Sequence, residues 1–481
     1  MKKAFKISVS FFLTAVLLFG SLSLCSFAAE DEIKRVSCTM YKDGGTGRGF
    51  CWYTSGKTDT DLQLVKCTDY DSNFSKAVSY KGETGKYRDF YYHKVAVTYL
   101  EAGTAYFYRV GDASKGLWSE KGTFVTDNGD DKFSFITLAD VQASFEKDFR
   151  HSSLTAEGAY KTMPEAEFCV NLGDYVDSNT NEEWDWYFDN FKAFNSRFTQ
   201  VPVAGNHDGS ITDKLNTFCF NNMFCLDESR NQYPDGVYYS FDYGNAHFAV
   251  LNTNDMFPMS QAQRNWLMND MSNTDAEWKI ILSHRSLYSA GKNINKPDTI
   301  VMRNILIPII DELGIDMVFS GHDHMYLRTK PVYGDEVTDT EYITEIYNGS
   351  KTTFALNPDG TVYTLPSTAG IKRYGVNDET INPILSVADK VFPTVDNGGC
   401  FCTTEINSNK LIYKAYCVDD ETQEVSLIDE FAIKKTEKKE CIEPTSLDES
   451  YTASLLALPL NFAKAFLNMI FSYVLLLIQN I

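Results

Sequence analysis

The sequence predicts two folded parts in series: an all-β sandwich over residues 30–128, then an α/β domain over residues 133–433. Three observations predict this. The chain has 481 residues, more than one core usually holds. Short apolar and aromatic runs crowd residues 31–127, with turn residues between them. After Asp127–Lys132, a polar and turn-rich linker, β-branched runs begin to alternate with helical stretches. A composition of 43% hydrophobic and 14% aromatic residues suits a packed protein and argues against disorder.

Residues 1–29 read as an export signal. Lys2, Lys3 and Lys6 are followed by the apolar run Phe11–Leu24 and by the small residues of Ser26-Phe27-Ala28-Ala29. The competing reading is an anchor that stays attached. The β runs come next: Gly49–Tyr53, Leu62–Cys67, Tyr91–Tyr99, Thr104–Val110 and Gly122–Thr126. Five such runs in under a hundred residues suit a small sandwich. In the α/β part, strands are expected at Phe133–Leu138, Phe168–Leu172, Thr199–Val203, Ala246–Asn252, Lys279–Ser283, Asp316–Ser320 and Thr361–Leu365. Helices are expected at Ser153–Lys161, Glu182–Asn195, Ser260–Met271 and Thr299–Leu313. Residues 434–452 form a charged spacer, and residues 453–481 an apolar helix long enough to span a membrane. That helix could span a membrane, lie on its surface, or pack on the protein itself.

A net charge of -21 disfavours non-specific binding to nucleic acid or anionic lipid. It does not exclude a phosphorylated substrate, because bound cations would set the local field. Of the eleven cysteines, ten remain once Cys25 leaves with the signal, and export would permit disulfides among them. Three local groups could pair, Cys38/Cys51/Cys67, Cys219/Cys225 and Cys400/Cys402/Cys417, with connectivity open.

Five motifs follow predicted strands. They are Asp140-Val141-Gln142, Gly173-Asp174-Tyr175-Val176-Asp177, Gly205-Asn206-His207-Asp208, His284-Arg285 and Gly321-His322-Asp323-His324. The carboxyl edge of a sheet is where α/β folds bind ligands, so these residues are expected to converge. Each motif alone has an ordinary reading, as a turn, a helix cap or a solvated loop. The set is harder to dismiss, since four of the chain's seven histidines fall within it. Asp140, Asp174, Asn206, His284, His322 and His324 make a mixed oxygen–nitrogen ligand set. Such a set suits iron, zinc or manganese better than calcium or magnesium. A carboxylate shared by two cations about 3.5–4 Å apart would clamp an in-line displacement. The glycines before Asp174, Asn206 and His322 would let the backbone turn sharply off each strand.

This set resembles the calcineurin-like metallophosphoesterases. The surroundings resemble their purple acid phosphatase branch: His322-Asp-His-Met-Tyr-Leu-Arg328, Tyr243–Asn252, Gly360–Gly370, and a preceding domain whose His93–Gly111 stretch is similar to a fibronectin type III-like sandwich. The resemblance implies a catalytic domain of two packed β-sheets flanked by helices. It implies one metal on Asp140, Asp174 and His324, and a second on Asp174, Asn206, His284 and His322. A hydroxide bridging the metals would attack a phosphate monoester. His207 would stabilise charge or protonate the leaving alcohol, with Asp208 nearby to orient it. The same site could serve a phosphodiesterase or nucleotidase, and a non-catalytic cell-surface binding protein is the rival from another class.

Two departures stand out. The branch has a tyrosine ligand three residues after the bridging aspartate, where this chain has Asp177. The purple colour is therefore not expected, and zinc, manganese or colourless iron enter. Other metallophosphoesterases have a histidine two residues after the first aspartate, where this chain has Gln142, whose amide oxygen could ligate directly or through water. Arg285 is a candidate substrate contact. The expected partner is a small phosphorylated molecule, with membrane contact through residues 453–481.

Overall fold

The computed structural model describes residues 31–209, 218–227, 237–254, 259–376, 386–392 and 398–437. The export-signal and C-terminal helix expectations lie outside the described residues. Among the described residues, no helix is long and apolar enough to cross a membrane.

The N-terminal part is a sandwich. One sheet holds Ile33–Met40, Arg48–Thr54, Phe90–Val97 and Glu83–Tyr87; the other holds Val78–Lys81, Asp61–Lys66, Ala105–Asp112 and Leu117–Trp118, with Gly122–Val125 paired to Ala105–Asp112. Phe50, Trp52, Leu64, Val95 and Tyr108 fill the space between them. The five expected strands are present. Ile33–Met40 escaped the reading because it is irregular. Its pairing slips between Lys34 and Ser37, and Arg35 there takes a left-handed φ of 51°.

The first sheet does not end at the sandwich. Ile33–Met40 runs parallel to Thr199–Pro202, with Thr39 opposite Gln200, which joins both parts into one twelve-stranded sheet. Arg48 crosses the same seam. It is fully buried, and its guanidinium donates to Thr199 Oγ1 at 2.9 Å and to the Val125 carbonyl at 2.6 Å.

Beyond the seam, Lys132–Leu138, Phe168–Asn171 and Thr199–Pro202 run parallel. Gly398–Asn407, Lys410–Asp419 and Val425–Lys434 extend the sheet antiparallel. A second, seven-stranded sheet is built around parallel Ala246–Val250, Trp278–Arg285, Met317–Gly321 and Val362–Pro366. The two sheets meet through aromatic rings. Phe135 lies 5.7 Å from Phe248 and 5.9 Å from Phe319, both edge-on, a favourable arrangement for ring quadrupoles. Helices cover the outer faces: Glu146–Thr162 packs on Gly398–Asn407, and Gln261–Ser272 and Pro297–Glu312 close a second core. Trp278–Arg285 shows the logic of the layers. Ile280 and Leu282 point into the core between the sheets, while Ile281 points into the core beneath the helices. A strand buried on both faces reads as an unbroken apolar run.

Candidate metal centre

The strands Lys132–Leu138, Phe168–Asn171, Thr199–Pro202, Trp278–Arg285 and Met317–Gly321 deliver the five motifs to one edge of the paired sheets. Two groups form there, Asp140 with Asp174 and His324, and Asp174 with His284 and His322. In each, one ligand atom per residue lies within 4.8 Å of the others. Asp174 belongs to both. Asn206 joins the second group, its Oδ1 standing 3.1 Å from His284 Nε2. Gln142 joins the first, its side-chain nitrogen 3.2 Å from both Asp174 Oδ2 and His324 Nε2.

The backbone is strained to achieve this. Asp140, Asp174 and His322 take left-handed φ values of 53°, 54° and 75°. Residues with a Cβ rarely adopt them unless the surroundings dictate it. The surroundings do. The Asp208 carboxylate accepts N–H bonds from Gly205 at 2.7 Å, Asp174 at 3.0 Å and Tyr175 at 2.7 Å, which ties two loops together. The Asp140 carboxylate accepts the His322 N–H at 3.0–3.1 Å. Of the three motif glycines only Gly173 is itself left-handed, at 96°. Gly205 is needed for room, since a Cβ there would stand 2.0 Å from the Asp174 nitrogen.

The electrostatics are those of a site built for cations. Burial opposes the charge on His284, but the Asp174 and Asp140 carboxylates raise it to about 9. Burial opposes the charge on Asp174 as well, yet His284, His207 and His322 hold its carboxyl below the usual range. Burial and the charge of Asp174 push Asp208 up to about 7. Burial, then the neighbouring His284 and Arg285, drive His322 well down, leaving a neutral imidazole of the kind that ligates metal. His284 Nδ1 donates to the Leu172 carbonyl at 2.8 Å, and His324 Nδ1 donates to the Lys372 carbonyl. Both bonds turn Nε2 inward, as outer partners of metal-bound histidines do.

The residues fit a pair of metal ions. Two buried polar atoms of these residues, His322 Nε2 and Gln142 Oε1, find no hydrogen-bond partner among the described residues. Amide nitrogen and oxygen are assigned from their surroundings, so the Gln142 amide turned over would present its oxygen beside Asp174 and His324 as a fourth ligand for the first ion.

Comparison with known proteins identifies both parts of the chain. The calcineurin-like phosphoesterase profile matches residues 124–326, and the purple acid phosphatase N-terminal domain profile matches residues 34–126. The chain carries a calcineurin-like phosphoesterase domain preceded by a purple acid phosphatase N-terminal domain. The matched interval contains every candidate ligand. Purple acid phosphatase 21 of Arabidopsis thaliana is 24% identical over 57% of this chain and 63% of its own length. Acid phosphatase type 7 of Mus musculus is 23% identical over 60% of this chain and 66% of its own. The first three curated relatives are matched over 63%, 51% and 58% of their lengths. Among solved structures, a purple acid phosphatase from yellow lupin seeds superposes with a TM-score of 0.69 at 16% identity, covering 84% of this chain and 75% of that one. PhoD superposes at 0.59 with 13% identity, covering 87% and 97%. Both structural likenesses concern the fold.

Against that family background, the remaining site residues divide. His207 donates from Nδ1 to the Asp177 carbonyl at 2.6 Å. The expectation that Asp208 orients His207 is corrected: its carboxylate is committed to backbone N–H groups, and Asp177 does the orienting. The Asp177 carboxylate, standing where the branch has its tyrosine, pairs with Lys372 Nζ and accepts from Ser144 Oγ at 2.7 Å, outside both ligand groups. Arg285 is braced by Asp298, 2.7 Å from Nη1, and by Asn254. Sequence reasoning missed Lys372 and Tyr374. The Tyr374 ring stacks on His324, centroids 4.3 Å apart, and Lys292 lies over its other side. The basic and aromatic run directly after Gly370 was the available signal. His151 pairs with Asp420, His247 with Asp242 and Asp270, and His93 is buried against threonine hydroxyls, all outside the ligand groups.

Proposed function

We propose that this chain is a two-metal phosphatase that hydrolyses phosphate monoesters. The carrying observation is that Asp174 belongs to both ligand groups. Asp140, Asp174, His324 and Gln142 hold one ion, and Asp174, Asn206, His284 and His322 hold the other. Iron, zinc and manganese suit this oxygen–nitrogen set. Two such ions supply Lewis acidity and an activated water for in-line attack on phosphorus. The protein contributes the rest. Asp208 holds the loops of Asp174 and Asn206 in register through the four backbone N–H bonds it accepts. His207 keeps Nδ1 on the Asp177 carbonyl and leaves Nε2 to give a proton to the departing alcohol. Arg285, braced by Asp298, adds positive potential on the substrate side. The basic start and the apolar run Phe11–Leu24 support export, and the apolar stretch at residues 453–481 supports membrane contact.

The test is elemental analysis of purified protein paired with hydrolysis of p-nitrophenyl phosphate and bis-p-nitrophenyl phosphate. About two metal ions per chain with preference for the monoester is the expected result. Preference for the diester would reassign the substrate class. Protein that binds no metal and hydrolyses neither ester, after zinc, manganese and iron are supplied, would overturn the reading.

A further inference from the structure

Strands Gly398–Asn407 and Lys410–Asp419 pair antiparallel with Cys400 directly opposite Cys417. Both thiols are free, the residues are 1% and 3% exposed, and the Cys400 thiol reaches the Gly398 carbonyl at 3.9 Å. Directly opposed residues have Cβ atoms about 4.5–5.5 Å apart, at the edge of what a disulfide spans with a small local shift. Cys402, two residues along the same strand, is placed otherwise. It faces Ala415 across the ladder, and its sulfur contacts the Tyr413 hydroxyl at 2.9 Å.

We propose that Cys400 and Cys417 are a disulfide-forming pair that staples these two strands in the oxidised protein. The chemistry is thiol–disulfide exchange with a protein or small-molecule disulfide as oxidant. The Cys417 thiolate attacks one sulfur of the donor disulfide, forms a mixed disulfide and expels one donor thiolate. Cys400 loses its proton and attacks the Cys417 sulfur, which forms the Cys400–Cys417 bond and expels the second donor thiolate. The pair gives up two electrons and two protons, and the donor leaves as two thiols. The order of attack is interchangeable, since either thiolate can form the mixed disulfide before the strands close. Burial of both sulfurs places the exchange before the two strands close on each other, and shields the bond afterwards.

The staple sits behind the metal centre. The Cys400 N–H donates to the Thr368 carbonyl at 2.8 Å, and Thr368 Oγ1 donates to the Asp140 carbonyl at 2.6 Å. Arg373, on the segment that leaves Thr368, pairs with Asp420 just beyond the second strand, at 2.5 and 2.8 Å. The bond would therefore fix the strand end from which the segment carrying Lys372 and Tyr374 hangs.

The decisive experiment is a peptide map of the full chain, directed to an oxidising compartment and purified without reductant. Free thiols are alkylated under denaturing conditions, and the digest is analysed by mass spectrometry before and after reduction. The expected result is one cross-linked species joining the Cys400 and Cys417 peptides, which disappears on reduction. A Tm that falls by several degrees when reductant is added is expected from the same sample. Alkylation of both residues in the unreduced sample, or a link from Cys400 to any other cysteine, would overturn the proposal. In Cys417→Ser, Cys400 should become fully alkylated; if that variant fails to fold, the map of the unsubstituted protein decides alone.

Discussion

Asp174 is the residue that both candidate ligand groups share. Asp174→Ala should therefore lose both ions together, with activity falling to background, as read by elemental analysis beside a p-nitrophenyl phosphate assay. His207→Ala should separate the two functions, because its ring lies outside both ligand groups. Its metal content should stay intact while kcat falls by about 10²–10⁴-fold, the usual size of a lost general acid. A second residue-scale prediction concerns His247, whose two ring nitrogens face Asp242 at 2.6 Å and Asp270 at 2.8 Å. Burial opposes its charge, but the two carboxylates raise it to about 9. A histidine raised in the folded state stabilises fully below its unfolded value near 6.5, and that stability is lost as pH rises towards the folded value. The wild-type unfolding free energy should fall between about pH 6.5 and 9, by about 2 kcal/mol once screening at the exposed Asp242 is allowed for, and Tm should fall with it. His247→Gln should start lower and vary less over that interval; an unchanged slope would remove His247 as the cause.

At the scale of elements, the strand ends and the loops after them carry the candidate ligands, and their legibility was uneven. Asp140, Asp174, Asn206, His284 and His322 were readable because each follows a strand whose apolar run is unmistakable, and strand ends fix where their loops begin. The segment Ile371–Tyr374 was not readable as part of the site, because it has no periodicity of its own and reaches His324 only through packing. Gly398–Asn407, Lys410–Asp419 and Val425–Lys434 were also missed as strands. Gly398–Asn407 is buried on both faces for most of its length, so the alternation that marks a half-exposed strand is absent. The role of Asp208 was misread because proximity in sequence to His207 does not say which way a carboxylate points. Gly205 offers the test of this loop architecture. Gly205→Ala would drive a Cβ into the Asp174 backbone, and should cost about 1–3 kcal/mol of stability along with most of the bound metal. A variant with full metal occupancy and unchanged Tm would mean the loops yield more easily than their packing implies.

At the scale of the whole molecule, the sequence suggested two domains joined by a linker, and the hydrogen bonding gives a single sheet passing through both. The polar stretch at Asp127–Lys132 marks where composition changes, while the ladder from Ile33–Met40 to Thr199–Pro202 continues regardless. A protein trimmed to residues 133–437 would expose the edge of Thr199–Pro202 and strand Thr199 without the Arg48 guanidinium. Unpaired, flat edges invite association. That fragment should be recovered aggregated, whereas residues 31–437 should stay soluble and melt in one transition by calorimetry; two separate transitions would show that the seam does not couple the parts.

The seam also bears on how such proteins can be recombined. A module spliced onto the catalytic part at the polar stretch would arrive with the right length of chain and still fail, unless it offered a strand able to lie beside Gln200 in the register that Thr39 now occupies. It would also have to supply a cation in place of Arg48 at Thr199. A replacement sandwich is thus constrained at two points, the strand beside Gln200 and the cation at Thr199.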